Sequence, residues 1–252
     1  MGHLKEKYNR GYFLGSLDKE ANKVYGINGF DTFNRGQIDA SYKLFLKNLD
    51  LGNKTILDIG CGRGEVVNYC AQADAKRVIG IDFSRDAIKI ATEFNKSNHN
   101  VELLEMEAKD IEFRDLFDMI FALDVIEHIP DEEMQSVYSK IHLALKNNGL
   151  LILNTPFFKS FKSKDSSDFI PATQGMHCNK QTKKKLNDDL IKHKFQRYST
   201  FVWSKSLRFS WAVFIYAQTV NIKRFLLIWF GRISHPKRTF IRLYNRLFLY
   251  KR

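Results

Sequence analysis

Acidic residues vanish from the last quarter of this chain. From Leu190 to Arg252 there are 14 Lys and Arg and no Asp or Glu. Subtracting these from the totals of 40 basic and 28 acidic residues leaves 26 and 28 in residues 1–189, which are therefore close to neutral. The whole net charge of +12 sits in the last 63 residues, and such asymmetry predicts a separate electrostatic task for them. Cysteine is also scarce. Cys61, Cys70 and Cys178 are odd in number and form no Cys-x-x-Cys pair, which argues against a disulfide framework or a structural zinc site and for a reducing, cytoplasmic compartment. Residues 1–10 are polar and lack an apolar signal core, so nothing there directs export. No internal repeat and no glycine-rich RNA signature is found. The longest uncharged run, residues 209–222, has 14 residues and is too short for a bilayer span of about 20.

Core material, by contrast, is plentiful: 44% of the 252 residues are hydrophobic, enough to exclude disorder throughout. Strand-like runs at 54–60, 77–82, 101–107, 117–124 and 149–155 alternate with helical segments near 64–72, 85–95 and 131–146. That alternation predicts an α/β, Rossmann-like, doubly wound and mostly parallel sheet with flanking helices. Pro130 followed by Asp131-Glu132-Glu133 suits a helix start, because carboxylates favour the positive end of the helix dipole. Asn147-Asn148-Gly149 reads as a helix stop. A helix over 36–50, a long loop over 157–181, a helix near 182–193 and a strand near 195–204 complete the expectation. The predicted organisation is a domain over 1–204, with its core at 54–204 and an N-terminal cap at 1–50. A basic, aromatic helical extension follows over 205–252.

The densest chemical signal is Ile56-Leu57-Asp58-Ile59-Gly60-Cys61-Gly62-Arg63-Gly64-Glu65, with Asp82 18 residues after Gly64 at the tip of the next strand. Strand, glycine turn, helix and second strand build a nucleoside pocket at the carboxyl edge of a parallel sheet. Glycines permit the tight turn and close backbone approach to a ligand, and Asp82 is placed to accept both ribose hydroxyls. A dinucleotide site would carry Gly-x-Gly-x-x-Gly with amides free for a pyrophosphate. Here the spacing is Gly-x-Gly-x-Gly, and Asp58 would repel a pyrophosphate but suit a ligand bearing an ammonium and a sulfonium.

Together these motifs resemble the class I S-adenosylmethionine (SAM) methyltransferases over roughly residues 54–204. The resemblance implies SAM as cofactor, held around Asp58, Gly60, Cys61, Gly62, Gly64 and Asp82. It also implies that Phe83 packs on the adenine, that Glu107-Ala108 meets the adenine edge, and that the backbone at Leu123 faces the methionine part. The family usually has Asp where Glu107 stands. Arg35 falls where similar enzymes meet the SAM carboxylate; it is equally an ordinary surface arginine. Asp124-Val125-Ile126-Glu127-His128 is similar to small-molecule O-methyltransferases, including those of ubiquinone biosynthesis, and no Asn-Pro-Pro-Tyr-like motif for base methylation is present.

His128 is the candidate general base, since a hydroxyl must lose its proton as it attacks; the alternative is a strand-end residue bonded to backbone. A Glu127–His128 metal pair lacks an identifiable third ligand, so no metal site is assigned. His177, in Gly175-Met176-His177-Cys178, is a second candidate near the substrate pocket, or else a surface histidine. The expected activity is methyl transfer, O-directed, to a small or membrane-associated acceptor such as a lipid-linked glycan or quinone. The rivals are a soluble sugar or secondary-metabolite methyltransferase and a non-catalytic SAM-binding subunit. Residues 236–252 put Phe240, Leu243, Tyr244, Leu247 and Phe248 on one helical stripe among arginines, the pattern of a helix lying on an anionic membrane surface. A lid or dimer contact is the main alternative for 205–252, and nucleic acid is disfavoured.

Overall fold

A computed structural model describes residues 6–14, 46–47, 49–156, 178–179, 181–206 and 209–217. Arg35, His177, most of the helix expected at 36–50, nearly all of the 157–181 loop, and residues 218–252 lie outside the described residues.

Seven strands form one sheet in the order β3-β2-β1-β4-β5-β7-β6. They are β1 (Thr55–Ile59), β2 (Arg77–Asp82), β3 (Val101–Glu105), β4 (Phe117–Leu123), β5 (Leu145–Pro156), β6 (Gln196–Ser206) and β7 (Phe209–Ala217). The helices are α1 (Arg10–Leu14), α2 (Glu65–Gln72), α3 (Arg85–Phe94), α4 (Asp131–Ala144) and α5 (Lys183–Lys192). Neighbours from β3 through β5 are parallel, and β7 alone runs the other way, antiparallel to both β5 and β6. All five residues of β1 are buried, which is why its sequence is a continuous rather than alternating apolar run.

Two apolar cores sandwich the sheet. One packs Leu57, Ile79 and Ile120 against Val137, Tyr138 and Ile141 of α4. The other packs Ile56, Val78 and Phe121 against Val67 and Cys70 of α2. From β1 the chain winds outward to β2 and β3, then returns to place β4 on the other side of β1. The crevice above the carboxyl ends of β1 and β4 is thus the topological switch point, where ligands of such sheets bind.

Two boundaries move. The helix stop expected at Asn147-Asn148-Gly149 lies inside β5 instead: α4 ends at Ala144, and the register between β4 and β5 shifts between the Phe117 and Met119 pairings. Asn148 takes φ +67°, so these residues form an irregularity in the strand rather than a helix cap. The extension expected to begin at residue 205 gives its first part to the sheet. β6 runs to Ser206, and β7 fills the slot between β5 and β6 with pairings from Leu150↔Ala217 to Pro156↔Trp211 on one side. An uncharged run, read from sequence as part of a tail, supplies an interior strand.

Candidate active site

The glycine turn after β1 is pinned from several directions. Gly60 and Cys61 donate their N–H groups to the Ile81 carbonyl at 2.8 and 2.9 Å, fastening the turn to the end of β2. Gly60 has φ +69°, and a Cβ there would lie 2.4 Å from Val125 Cγ2; at Gly64, φ +82°, it would lie 2.6 Å from Asn95 Nδ2. Neither position admits a side chain without displacing the turn after β4 or the end of α3. Asn95 completes the lock by donating to the Gly64 carbonyl at 3.2 Å.

Asp82 closes β2 with its carboxylate 6% exposed. Its Oδ2 accepts from Gly62 N–H at 3.0 Å and its Oδ1 from Ser84 N–H at 2.8 Å, so each oxygen keeps a lone pair for a further donor. Burial pushes its pKa up from 3.8 to about 6, against the two backbone donors. Asp58 is also buried, and its pKa is raised well above the usual carboxylate range by burial and then by Asp82 and Glu65. Glu127, 2% exposed, is raised by burial and by Asp124. Burial raises all three carboxyls and neighbouring carboxylates raise Asp58 and Glu127 further, so positive charge brought beside them would favour their ionised forms. A ligand bringing a sulfonium and an ammonium, with a ribose to donate to Asp82, supplies that charge. The residues present fit SAM.

Residues 8–14 span the crevice from above. Ser84 Oγ accepts from Ala87 N–H as the cap of α3 and donates to the Tyr8 carbonyl at 2.6 Å. Arg10 N–H bonds Asp86 Oδ2 at 3.0 Å. Buried Arg63, inside the glycine turn, donates to the Phe13 carbonyl at 3.3 Å and pairs with Glu65. The Tyr8 ring stands edge-on to Phe83, centroids 5.1 Å apart, and to His128 at 5.8 Å. Its hydroxyl lies 3.0 Å from His128 Nδ1 and also bonds Tyr12, whose own pKa is pushed up by burial and by Asp82. Tyr8, two residues before α1, thereby joins the end of β2 to the turn that follows β4. Nothing in the sequence gives Tyr8, Tyr12 and Phe13 this place; the density of aromatics in a segment without periodicity is the one signal there.

His128 sits half-buried in the single 3-10 turn Ile126–His128 that follows β4. Thr155 Oγ1 donates to Glu127 Oε2 at 3.0 Å, and the Glu127 carbonyl accepts from the N–H groups of Cys178 and Asn179, both at 3.0 Å. Cys178 Sγ donates to the His128 carbonyl at 3.0 Å. These bonds bring the chain just after His177 alongside the 127–128 turn. Asp124 takes φ +55° and accepts from Asn154 Nδ2 at 2.9 Å, and Leu123 is the last residue of β4.

Glu107 lies two residues past the end of β3, before the 3-10 turn Ala108–Asp110. Its Oε2 is 2.8 Å from Lys109 Nζ, which also reaches Glu133 at 3.3 Å, so an adenine amine would share this carboxylate with a lysine. Among the described residues no group of three or more His, Cys, Asp or Glu is arranged to hold a metal ion.

Residues 56–149 match the methyltransferase domain family. The ubiquinone biosynthesis O-methyltransferase of Glaesserella parasuis is 34% identical over 116 residues, covering 43% of this chain and 48% of that protein. Phosphoethanolamine N-methyltransferase 2 of Caenorhabditis elegans is 32% identical over 151 residues, 56% of this chain and 34% of that one. This chain thus spans about half the length, or less, of the curated relatives it matches. Among solved structures, an S-adenosylmethionine dependent methyltransferase from Mesorhizobium loti superposes with TM-score 0.59 at 14% identity over 70% of this chain and 96% of that one. The [4+2]-cyclase SpnF gives TM-score 0.61 at 16% identity, over 73% and 81%. The family match covers 94 of the 252 residues, and the sheet around it has the fold of SAM-dependent methyltransferases, so the group this site would hold is SAM.

Proposed function

We propose that this protein transfers the methyl group of SAM to a hydroxyl oxygen of a small or membrane-associated acceptor, with His128 as the base. The observation that carries the reading is the Tyr8 Oη–His128 Nδ1 contact of 3.0 Å at the mouth of the SAM crevice. In the tautomer protonated at Nδ1, that nitrogen donates to Tyr8 and the basic lone pair falls on Nε2. Nε2 then takes the acceptor's proton as its oxygen bonds to the methyl carbon and the carbon–sulfur bond breaks. SAM supplies the electrophile; the chain's part is to orient the acceptor, hold that one proton and exclude water. The aromatic cover of Tyr8, Tyr12 and Phe13, all buried, serves the last of these tasks.

An O-directed reaction is favoured because a hydroxyl needs a base at the moment of attack, and because relatives named as O-methyltransferases of ubiquinone biosynthesis match this region. The N-methyltransferase and cyclase likenesses show that the fold alone does not fix the chemistry. The test is release of S-adenosylhomocysteine with a panel of quinone, sugar and lipid-linked glycan acceptors. His128→Ala should lower turnover about 10²–10⁴-fold while leaving SAM affinity within a few-fold. Tyr8→Phe, which keeps the ring and removes the hydroxyl that meets Nδ1 and Tyr12, should lower kcat more than it raises KM. An His128→Ala enzyme with near-normal turnover at neutral pH returns His128 to a structural role. SAM binding without turnover on any acceptor favours a non-catalytic subunit.

A further inference from the structure

Two large apolar side chains stand exposed among the described residues, Leu143 at 48% and Ile191 at 43%. Both lie at the same end of the molecule. Leu143 is in the last turn of α4 and Ile191 in the last turn of α5, and Gln135 of α4 bonds both Asp189 and Lys192 of α5. The His193 ring bonds Ser139 Oγ at 3.1 Å and Gln135 Oε1 at 3.0 Å, and the His142 ring stands edge-on to Phe195 with centroids 5.2 Å apart. Exposed Lys192 and Lys194 follow Ile191 in the chain, Lys192 bonding Gln135 Oε1 at 3.1 Å, and half-buried Lys140 lies one turn before Leu143. The nearby acids are Asp115, whose N–H bonds the Leu143 carbonyl, Asp189, which accepts from the Gln135 amide, and exposed Asp188, one turn before Ile191 and paired with Lys184.

This is the sheet edge opposite the glycine turn, where β5 and β6 begin. β7 returns to it: its last residue, Ala217, pairs with Gln196 on one side and Leu150 on the other. The sequence leaves the sheet there, and from Gln218 to Arg252 it carries nine Lys and Arg and no acid. Exposed apolar groups with lysines beside them, at the end of the sheet where β7 gives way to a basic, aromatic sequence, match the chemistry of an anionic bilayer.

The geometry points to a membrane-docking edge formed by Leu143, Ile191, Lys192 and Lys194 of the domain and facing an anionic lipid surface. The sequence alone put membrane contact in the extension; here the domain itself contributes and sets the orientation. β4 runs from this edge to the active site over seven residues, Phe117–Leu123, which at about 3.3 Å per residue puts the pocket ~20 Å from the lipid. On the methyltransferase reading above, the acceptor then projects its reacting hydroxyl well out of the bilayer. A lipid-linked glycan with an extended polar head does so, and a quinone ring held among the acyl chains does not.

The experiment uses the full chain with phosphatidylcholine vesicles, alone and with phosphatidylglycerol. Wild type should co-float with the anionic vesicles. Lys192→Ala with Lys194→Ala should weaken binding about thirtyfold, some fivefold per cation, and Leu143→Glu with Ile191→Glu at least tenfold. SAM affinity by calorimetry should be unchanged in both variants, whose substituted residues are exposed and remote from the pocket. The idea is overturned if wild type ignores anionic vesicles, if both variants float as wild type does, or if the variants lose self-association in sedimentation runs instead of lipid binding. Methylation of a quinone in the vesicles, with glycan acceptors inert, overturns the orientation. Vesicle binding by a chain that fails to bind SAM would leave the docking edge standing and sink the methyltransferase reading.

Discussion

Asp82→Asn separates the two demands placed on one side chain. In the folded protein without ligand, burial raises the Asp82 pKa from 3.8 to about 6. A difference of about two pH units corresponds to roughly 3 kcal/mol at 1.36 kcal/mol per unit, the order of the cost of keeping Asp82 ionised at pH 7. The sign follows from proton counting. Between pH ~4 and ~6 the folded state binds more protons at this group than the unfolded chain does, so stability declines as pH rises through that window. Asparagine keeps the shape and removes the charge, and with it that dependence. Its cost is one donor stranded against the amide NH2, since Gly62 and Ser84 each donate to a separate oxygen of the carboxylate; a buried unsatisfied group costs ~1–3 kcal/mol. The two effects nearly cancel at pH 7, and below pH 4 only the loss remains.

Cofactor binding moves the other way. Hydrogen bonds to a charged group contribute ~1.5–3 kcal/mol each, so losing the charge under two ribose hydroxyls should cost about 2–4 kcal/mol, about 30- to 1,000-fold in Kd. Calorimetry of SAM binding and thermal melts from pH 4 to 8 read both quantities. A SAM Kd within threefold of wild type in the folded variant removes Asp82 from the ribose site. A variant strongly destabilised at pH 7 shows that the ionised carboxylate was stabilised by something other than its two backbone donors.

In the wild type, SAM affinity should fall as pH drops below about 6, approaching tenfold per pH unit, because the protonated carboxyl must ionise to receive the hydroxyls; a flat Kd between pH 5 and 7 would count against this. Gly60→Ala should destabilise by about 2–4 kcal/mol, from overpacking and a left-handed φ, since its Cβ would meet Val125 Cγ2 at 2.4 Å; an unchanged melting temperature would refute the geometry of the turn. Ending the chain after Ser204 should give insoluble protein, because β7 is then missing between β5 and β6. Ending it after Ala217 should retain SAM binding and weaken vesicle binding, and an equally soluble, SAM-binding 1–204 fragment would show that β7 is dispensable.

What could be read in advance followed from how locally each feature is encoded. The parallel strands appear as buried apolar runs between turn residues, so β2, with Asp82 at its tip, lies where its sequence puts it. The places of Asp58 and Asp82 were legible because the turn from β1 into α2, which the end of β2 meets, is itself written in glycines. Asn147-Asn148-Gly149 misled because the same residues serve a helix stop and a strand irregularity; a tight spot at Gly149, whose Cβ would lie 2.8 Å from the Lys146 carbonyl, decides between them only in three dimensions. β7 has no charge from Phe209 to Ala217, so no polar rhythm distinguishes an interior strand from an apolar tail, and its slot exists only once β5 and β6 are placed.

The Tyr8–His128 contact is the extreme case. It joins residues 120 apart, and the bond that seats Tyr8 over Ser84 spans 76. Neither residue's neighbours in sequence carry information about the other. They meet because β2 and β4 flank β1 on opposite sides, which brings the segments after both strands within reach of the one residue Tyr8. If the aromatic cover is what completes the base, then Tyr8→Phe and a chain lacking residues 1–14 should share a loss of turnover while differing in SAM affinity. The deletion also removes the Arg63–Phe13 and Ser84–Tyr8 bonds that hold the cover to the glycine turn and to α3, and Tyr8→Phe leaves them intact.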